Sequence, residues 1–209
     1  MRLHPRHIAK GLFYLALGYF SWLMLRITLQ YVPIRYDVAF LFVKQEAITH
    51  THYKVAFFSH VYTSIFVLLM GMTQFSGTLR RRFPAMHRSL GKGYVLLILF
   101  VASPSGLVMA LYANGGLSSQ ISFSLQAVLW FAFTLLALRY AQARDWTRHR
   151  EFMLRSYALT LSAISLRLFK WIIVSTVAWP PMDTYRLVAW LGWGVNLALV
   201  EGWLWWRKR

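Results

Sequence analysis

Residues 149–170 read HREFMLRSYALTLSAISLRLFK, a stretch that is apolar enough to lie in a bilayer although it carries histidine, arginine and lysine. Because an α-helix turns by about 100° per residue, six of its side chains fall within roughly 40° of one line. These six are His149, Met153, Ser156, Thr160, Ala163 and Arg167. His149 and Arg167 lie about 27 Å apart along the helix axis, close to the thickness of the hydrocarbon layer. Since lipid tails do not accommodate such a row, we expect this face to contact protein or water.

The composition is that of a membrane protein. Of the 209 residues, 58% are hydrophobic and 17% are aromatic, and the mean hydropathy is +0.46. A soluble domain has about 45–50% apolar residues, and aromatic side chains are enriched where a bilayer meets water. The chain has no cysteine, which excludes disulfides, iron–sulfur clusters and thiolate zinc sites. The first apolar run lacks a small-residue cleavage site, so we predict a retained helix rather than a signal peptide.

The apolar runs predict an all-α integral membrane protein with six transmembrane helices in a single domain over residues 1–209. The third span contains a break at residues 103–106, SPSG. Pro84 is expected to begin a helix, and Asp145 or Thr147 to cap one. Residues 36–48 are expected to lie along the surface as a short amphipathic helix. The predicted spans are residues 11–30, 54–76, 93–113, 120–141, 149–176 and 185–206.

The positive charge is concentrated in alternate loops. The chain has 23 lysine and arginine residues against six acidic ones, a formal net charge of +17. Most of the basic residues lie at the two termini and in the loops after the second and fourth spans. Because basic loops stay in the cytoplasm, this bias predicts an N-in, C-in protein of the bacterial inner membrane. Membrane topology and attraction to anionic lipid headgroups then explain the excess of positive charge. We therefore expect no nucleic-acid partner.

Spans two to five form two hairpins with similar basic turns, which predicts a four-helix core over residues 54–176. A His-Arg pair at 87–88 precedes Tyr94, and a His-Arg pair at 149–150 precedes Tyr157. Two hairpins of the same orientation indicate a pseudo-two-fold axis along the membrane normal. Such an axis would place the two histidines at corresponding positions of the cytoplasmic end.

A polar cluster is predicted in the outer half of the membrane domain. His60 and Gln74 lie on one polar line of span two, and His60, Ser105 and Arg167 have similar depths. No acidic residue lies at that depth to balance Arg167, so we expect an anionic partner such as a carboxylate, a haem propionate or a lipid phosphate. A quinone is a further candidate ligand of this His60/Arg167 pocket. The alternative is that Arg167 extends to the outer headgroups, as we expect of Lys170.

His87 and His149 form a second candidate site, at the cytoplasmic end. Two neutral imidazoles from facing helices at one depth can ligate the iron of a b-type haem, or another metal ion. The alternative is that both rings hydrogen-bond loop carbonyls or lipid phosphates. His60 has no partner histidine at its own depth, so the sequence predicts at most one such site.

The remaining charges and motifs carry no catalytic signal. Glu201 is the only acidic residue within a predicted span, and its depth is similar to that of Arg155, which predicts an ion pair. The sequence contains no Walker, GxSxG or HExxH motif, so nothing in it indicates an ATPase or a hydrolase.

Three segments and a short turn resemble a known family. They are HVYTSIFVLLMGMTQF at 60–75, LRRRFPAMHRSLGKGY at 79–94, NGG at 114–116 and HREFMLRSYALTLSAISLRL at 149–168. Over about residues 55–170 the chain resembles domain-of-unknown-function family 2306, a family of bacterial multi-pass membrane proteins. The resemblance implies a membrane fold and supplies no reaction, because no activity is assigned to that family. It maps the family's pattern onto His60, Gln74, Phe75, Arg80, His87, Arg88, Gly91, Tyr94, Gly115, Gly116, His149, Arg150, Met153, Arg155, Ser156 and Arg167.

A second, remoter resemblance is to the transmembrane di-haem cytochromes b, in which a four-helix core carries histidines on alternate helices. Those proteins pair two histidines near each membrane face. This chain departs from that pattern because His60 has no partner within a span.

Three functions are compatible with these features. The first is a redox protein of electron transport, with haem b at His87 and His149 and a quinone or haem propionate at His60 and Arg167. The second is a carrier or sensor for a small anion or a lipid, whose path follows the polar faces of spans two, three and five. The third is an assembly subunit of a larger membrane complex. Its docking surface would be the tryptophans of span six, Trp190, Trp193, Trp203, Trp205 and Trp206.

Overall fold

The computed structural model describes residues 5–177 and 179–209, and every regular element among them is helical, as the sequence predicts. Two short 3₁₀ helices, Ala39–Val43 and Ala47–Thr49, follow the first α-helix, and a π-helical segment, Ile98–Ala102, joins the fourth to the fifth. The α-helices in chain order are α1 (Pro5–Leu29), α2 (Thr51–Gln74), α3 (Gly77–Arg82), α4 (Pro84–Leu97), α5 (Ser103–Leu111), α6 (Leu117–Gln142), α7 (Trp146–Thr160), α8 (Ser162–Thr176) and α9 (Pro181–Lys208).

Several of these helices are long and apolar enough to cross a membrane. Within the described residues, four stretches meet that condition, namely α2, the α4–α5 stretch Pro84–Leu111, α6 and α9. The pair α7 and α8, bent by 42°, would together make a fifth. The apolar part of α1, Tyr14–Leu29, is shorter. The structure therefore supports four or five spans, and the sixth span, the N-in orientation and the bacterial inner membrane stay predictions.

Two helices begin where the sequence signals place their starts. Helix α4 starts at Pro84, whose missing N–H is not needed in a first turn. Helix α7 starts after Asp145, whose carboxylate accepts a hydrogen bond of 3.0 Å from the Arg148 N–H. The surface helix predicted at 36–48 takes the form of 3₁₀ turns, which bury Leu41.

The break predicted at residues 103–106 is a widened helical turn, and the chain stays helical through it. Pro104 has no N–H and cannot donate to the carbonyl one turn earlier. The backbone adjusts just before it, where the Ser103 N–H bonds the Ile98 carbonyl five residues back. Helices α4 and α5 therefore form one continuous stretch with a π-helical segment in its middle.

The largest core cluster includes residues of α2, α4, α6, α7 and α9. Tyr94, Ile98 and Leu159 are almost completely buried in it. Trp193 of α9 belongs to the same cluster, and α9 packs against α6, α7 and α8. The core thus extends to the last helix, beyond the four helices over 54–176 that the sequence predicts. Trp193 faces this core, whereas Trp190, Trp203, Trp205 and Trp206 are exposed.

Contacts between loops define two ends of the bundle. At the first, which we call the loop end, Lys44 bonds Asn114, so that residues 31–50 meet the turn at 112–116. At the second, which we call the basic end, Lys208 lies 3.1 Å from the Glu151 carboxylate, so that the end of α9 meets the start of α7. The arginine-rich helix α3 connects α2 to α4 at this basic end.

Candidate functional site

The α7 part of the predicted polar face, residues 149–160, points into the protein, whereas Arg167, beyond the 42° bend on α8, is exposed. Met153, Ser156 and Thr160 are buried, and His149 is half-buried. This is the arrangement expected of polar side chains in a membrane-spanning helix, where lipid offers no hydrogen-bonding partner.

Three helices, α4, α6 and α7, contribute to a closed hydrogen-bond network around this face. The Tyr94 hydroxyl lies 2.8 Å from the Ser156 hydroxyl and 3.0 Å from that of Thr160. The Thr134 hydroxyl lies 2.7 Å from Ser156, and the Trp130 indole N–H donates to Thr160 at 3.1 Å. Because every member has a partner, the network stiffens the middle of the bundle. In the middle of the bundle, the polar side chains that the sequence predicts as a ligand path are therefore bonded to one another.

His60 of α2 contacts the π-helical segment. Its Nδ1 lies 2.8 Å from the Ala102 carbonyl and 3.4 Å from the Ser105 hydroxyl. Since a carbonyl oxygen only accepts, Nδ1 carries the proton and Nε2 of the neutral ring is left as an acceptor. The helices touch here because Gly106 has no side chain, and a Cβ there would lie 3.1 Å from the His60 ring. The structure therefore brings His60 and Ser105 together.

Arg167 lies near the same region on α8. It interacts electrostatically with His60 and with Tyr31, at the end of α1. Its side chain is exposed, and we call its surroundings beside His60 and Tyr31 the Arg167 site. Its guanidinium donates to the Ala163 carbonyl of its own helix at 2.7 Å. Among the residues that the structure describes, no carboxylate pairs with it.

His87 and His149 are neighbours at the basic end, near the starts of α4 and α7. The His149 Nδ1 donates to the Ala137 carbonyl at 2.9 Å. Gln74 lies here and not with His60. With its amide oriented to satisfy both neighbours, it donates to the His87 carbonyl and accepts from the Gly91 N–H, each at 3.3 Å.

The predicted ion pair at the basic end is present. The Arg155 guanidinium contacts the Glu201 carboxylate through two nitrogens, at 2.5 and 2.9 Å. Glu151 lies 3.9 Å from the same guanidinium and also pairs with Lys208. Arg155 is thus held by two carboxylates, whereas Arg167 is held by none in the described part of the chain.

The loop end contains a pocket of about 310 Å³ that the sequence analysis missed. Its polar lining comes from Lys44, Glu46, His50, Tyr112, Asn114 and Gln120. The available signal was a single lysine directly after the apolar run AFLFV at 39–43. Sequence alone does not show that this lysine is buried, nor that the distant turn at 112–116 forms the opposite wall.

A second pocket, of about 260 Å³, is largely apolar and lies between α1, α2, α7 and α9. Leu17, Met72, Leu161 and Val200 are among its lining residues, so its chemistry suits a lipid chain. Neither pocket borders His60, His87 or His149. Within the described ranges, no group of three or more metal-binding side chains occurs. The haem at His87 and His149 and the quinone at His60 and Arg167 therefore stay predictions.

Comparisons with known proteins give one match. A family model described as "Predicted membrane protein (DUF2306)" matches residues 57–206. A search of curated proteins found no significant match, and a search of solved structures found none. The match reaches α9, further than the resemblance at 55–170, and nothing in these comparisons supports the resemblance to cytochromes b.

Proposed function

The chain belongs to the DUF2306 family of predicted membrane proteins, and from that premise we propose that it binds the anionic group of a lipid or of a small molecule at Arg167. The observation that carries this proposal is the missing counter-ion of that arginine. Burying a charge in a bilayer costs free energy, about 2.5 kcal/mol or more at the helix centre on insertion scales, and an anionic ligand group would offset that cost for Arg167 of α8.

The chemistry of the Arg167 site supports an anion more strongly than a quinone. A quinone is uncharged and would leave the guanidinium unbalanced, whereas a phosphate or carboxylate would form charge-assisted hydrogen bonds with it. His60 adds an acceptor through Nε2, which suits a ligand that also carries a hydroxyl group. A phosphate with one remaining proton has both features.

The closed network around Tyr94 favours a binding or sensing role over a carrier role. A carrier needs a path that opens to both sides of the membrane, and the polar side chains between Arg167 and the basic end are packed against one another. We therefore assign the Arg167 site to ligand recognition at one membrane face.

The test uses Arg167→Ala and the matched control Lys170→Ala, which removes an exposed cation three residues along the same helix. Dioleoyl phosphatidic acid and oleate are added to protein in dodecyl maltoside, and the thermal unfolding temperature is measured. Ligand at about one hundred times its Kd stabilises a protein by about 2.7 kcal/mol, which is readily measured. We expect the wild type and Lys170→Ala to be stabilised and Arg167→Ala to lose the effect.

An equal stabilisation of Arg167→Ala and the wild type would overturn the proposal. Dioleoylglycerol, which has the same chains and no charge, separates recognition of the headgroup from insertion of acyl chains into the apolar pocket. If it stabilised the wild type as much as phosphatidic acid, the anion would not be the recognised group.

A further inference from the structure

The pocket at the loop end contains two charges of opposite sign that are not paired with each other. Lys44 and Glu46 both line it, and no ion pair within 4.0 Å joins their side chains. His50, Asn114 and Gln120 complete its polar wall. Its volume of about 310 Å³ lies at the lower end of the range for small-molecule sites.

Lys44 is the buried partner of the two, with only 6% of its surface exposed. Its ammonium donates to the Tyr112 carbonyl and to the Asn114 side-chain oxygen, and it lies 5.7 Å from the centre of the Phe40 ring. An ammonium has three N–H donors, so one is left after these two bonds. Burial without a carboxylate partner lowers the pKa of this ammonium, and a bound anion would offset that cost.

Glu46 is exceptional among the acidic residues. The chain has six, all within the described residues, and five of them form ion pairs with arginine or lysine. The carboxylate of Glu46 has no such partner although the chain carries 23 lysine and arginine residues. It is exposed at the pocket and is therefore free to receive a cation from outside.

We propose that this pocket binds a small zwitterion, whose ammonium group pairs with Glu46 and whose anionic group pairs with Lys44. A simple anion would leave Glu46 unpaired and close by, and a simple cation would leave Lys44 unpaired. Two sources supply this chemistry, namely a free solute such as an amino acid or phosphoethanolamine, and the headgroup of phosphatidylethanolamine.

The experiment measures binding by isothermal titration calorimetry in dodecyl maltoside, which has no charged group. The probes are phosphoethanolamine and γ-aminobutyrate, which carry charges of both signs, with inorganic phosphate, butyrate and ethanolamine as halves that carry charge of one sign only. We expect the zwitterions to bind about tenfold more tightly than either half, because only they satisfy both side chains. Glu46→Gln should abolish that preference and leave weak binding of the anions.

Asp37→Asn is the matched control, since it removes one negative charge from the same loop but outside the pocket, where Asp37 pairs with Arg35 at 2.9 Å. It should bind the zwitterions like the wild type. Equal binding of zwitterion and anion, or an unchanged preference in Glu46→Gln, would overturn the proposal, as would failure of the wild type to bind any probe.

Nanodiscs distinguish the two sources. If the ligand is a lipid headgroup, protein in discs of phosphatidylethanolamine should bind soluble phosphoethanolamine more weakly than protein in discs of phosphatidylglycerol. If the ligand is a free solute, the affinity should be the same in both discs. The conclusion is independent of Arg167, because that residue is not part of the pocket.

Discussion

At the scale of single residues, two cations that have no carboxylate partner in the described part of the chain are held in different ways. Lys44 lies against two oxygen atoms and an aromatic ring at the loop end, outside the membrane-spanning helices. Arg167 has only a carbonyl of its own helix. The bonds of Lys44 fix the position of a loop. Arg167 uses one N–H in this way, so most of the N–H donors of its guanidinium group are available to a ligand.

Lys44 makes the stability of the protein depend on pH in the alkaline range. Its pKa in the folded protein is lowered from the ordinary 10.5 by burial. Between the lowered value and 10.5 the unfolded chain binds the proton and the folded chain does not, so the free energy of unfolding rises with pH in that window. Lys44→Met should flatten this rise, measured as thermal unfolding temperature against pH.

Lys92→Met serves as the control, since Lys92 is exposed near the basic end. Its curve should keep the shape of the wild-type curve. If Lys44→Met also ran parallel to the wild type, the ammonium would not be desolvated in the folded protein.

Residues such as Lys44 show where sequence reasoning stops. A row of polar positions on one helix is visible from periodicity alone, and the burial of Ser156 and Thr160 agrees with the predicted face. The partners of Lys44 lie 68 and 70 residues away along the chain. No local pattern specifies such a pair, so neither the pocket nor its unpaired Glu46 was predicted.

At the scale of helices, a glycine sets the distance between α2 and its neighbours. A Cβ on Gly71 would lie 2.5 Å from the Tyr157 ring and 2.8 Å from the Tyr94 ring. Both rings are buried and cannot move aside easily. The two tyrosines that follow the His-Arg pairs of the predicted hairpins therefore meet over this one residue.

Gly71→Ala should destabilise the protein by about 1–3 kcal/mol, the usual cost of overpacking a tight core. Gly194→Ala is the control, because no atom lies within 4 Å of a Cβ at that position of α9. There the gain in helix propensity should leave stability unchanged or slightly higher. The stabilities of both variants are compared by urea or thermal unfolding in detergent. Equal stabilities would show that a methyl group fits at position 71 of α2.

Two helical irregularities have similar polar partners. At the π-helical segment, His60 of α2 bonds a backbone carbonyl. At the bend between α7 and α8, Gln126 of α6 donates to the Leu159 carbonyl at 3.5 Å and to the Ser162 hydroxyl. The first irregularity was predicted from Pro104, although as a break. The second was not, because residues 150–176 contain neither proline nor glycine. The predicted pseudo-two-fold repeat of the two hairpins stays a prediction.

At the scale of the whole molecule, the apolar runs correctly predicted an all-helical protein with several candidate spans. The count of six spans, and the topology predicted from the basic loops, are not tested by contacts alone. Lys44 bonding Asn114 and Lys208 pairing with Glu151 show which loops share an end of the bundle. They do not show which end faces the cytoplasm, because orientation depends on the membrane and on insertion.

Single cysteines can decide the orientation, since the chain has none of its own. Leu117→Cys and Gln142→Cys place thiols at opposite ends of α6, both at exposed positions. A membrane-impermeant maleimide applied to intact cells should label Leu117→Cys only. Labelling of Gln142→Cys alone would reverse the predicted orientation.

The same reagent decides whether α1 crosses the membrane. A cysteine in place of His4, which lies outside the described residues, should stay unlabelled in intact cells if there are six spans. Labelling of this position together with Leu117→Cys would mean that α1 does not cross, and five spans would remain. Cell lysis, which should expose every site, confirms that each thiol can react.

The contacts of residues 31–53 show that the packed unit of this chain begins before the region that the family model matches. Tyr31, Leu41 and Tyr53 share one buried cluster with Phe57, and Lys44 is fastened to the turn at 112–116. The matched region begins at residue 57, so it cuts through that cluster. A protein trimmed to residues 57–206 would expose the apolar side of that cluster to solvent. It would also lose Lys44 and Glu46 from the pocket at the loop end. The matched region is therefore shorter than the packed unit of this chain, and any shortened version made for study should retain the preceding segment.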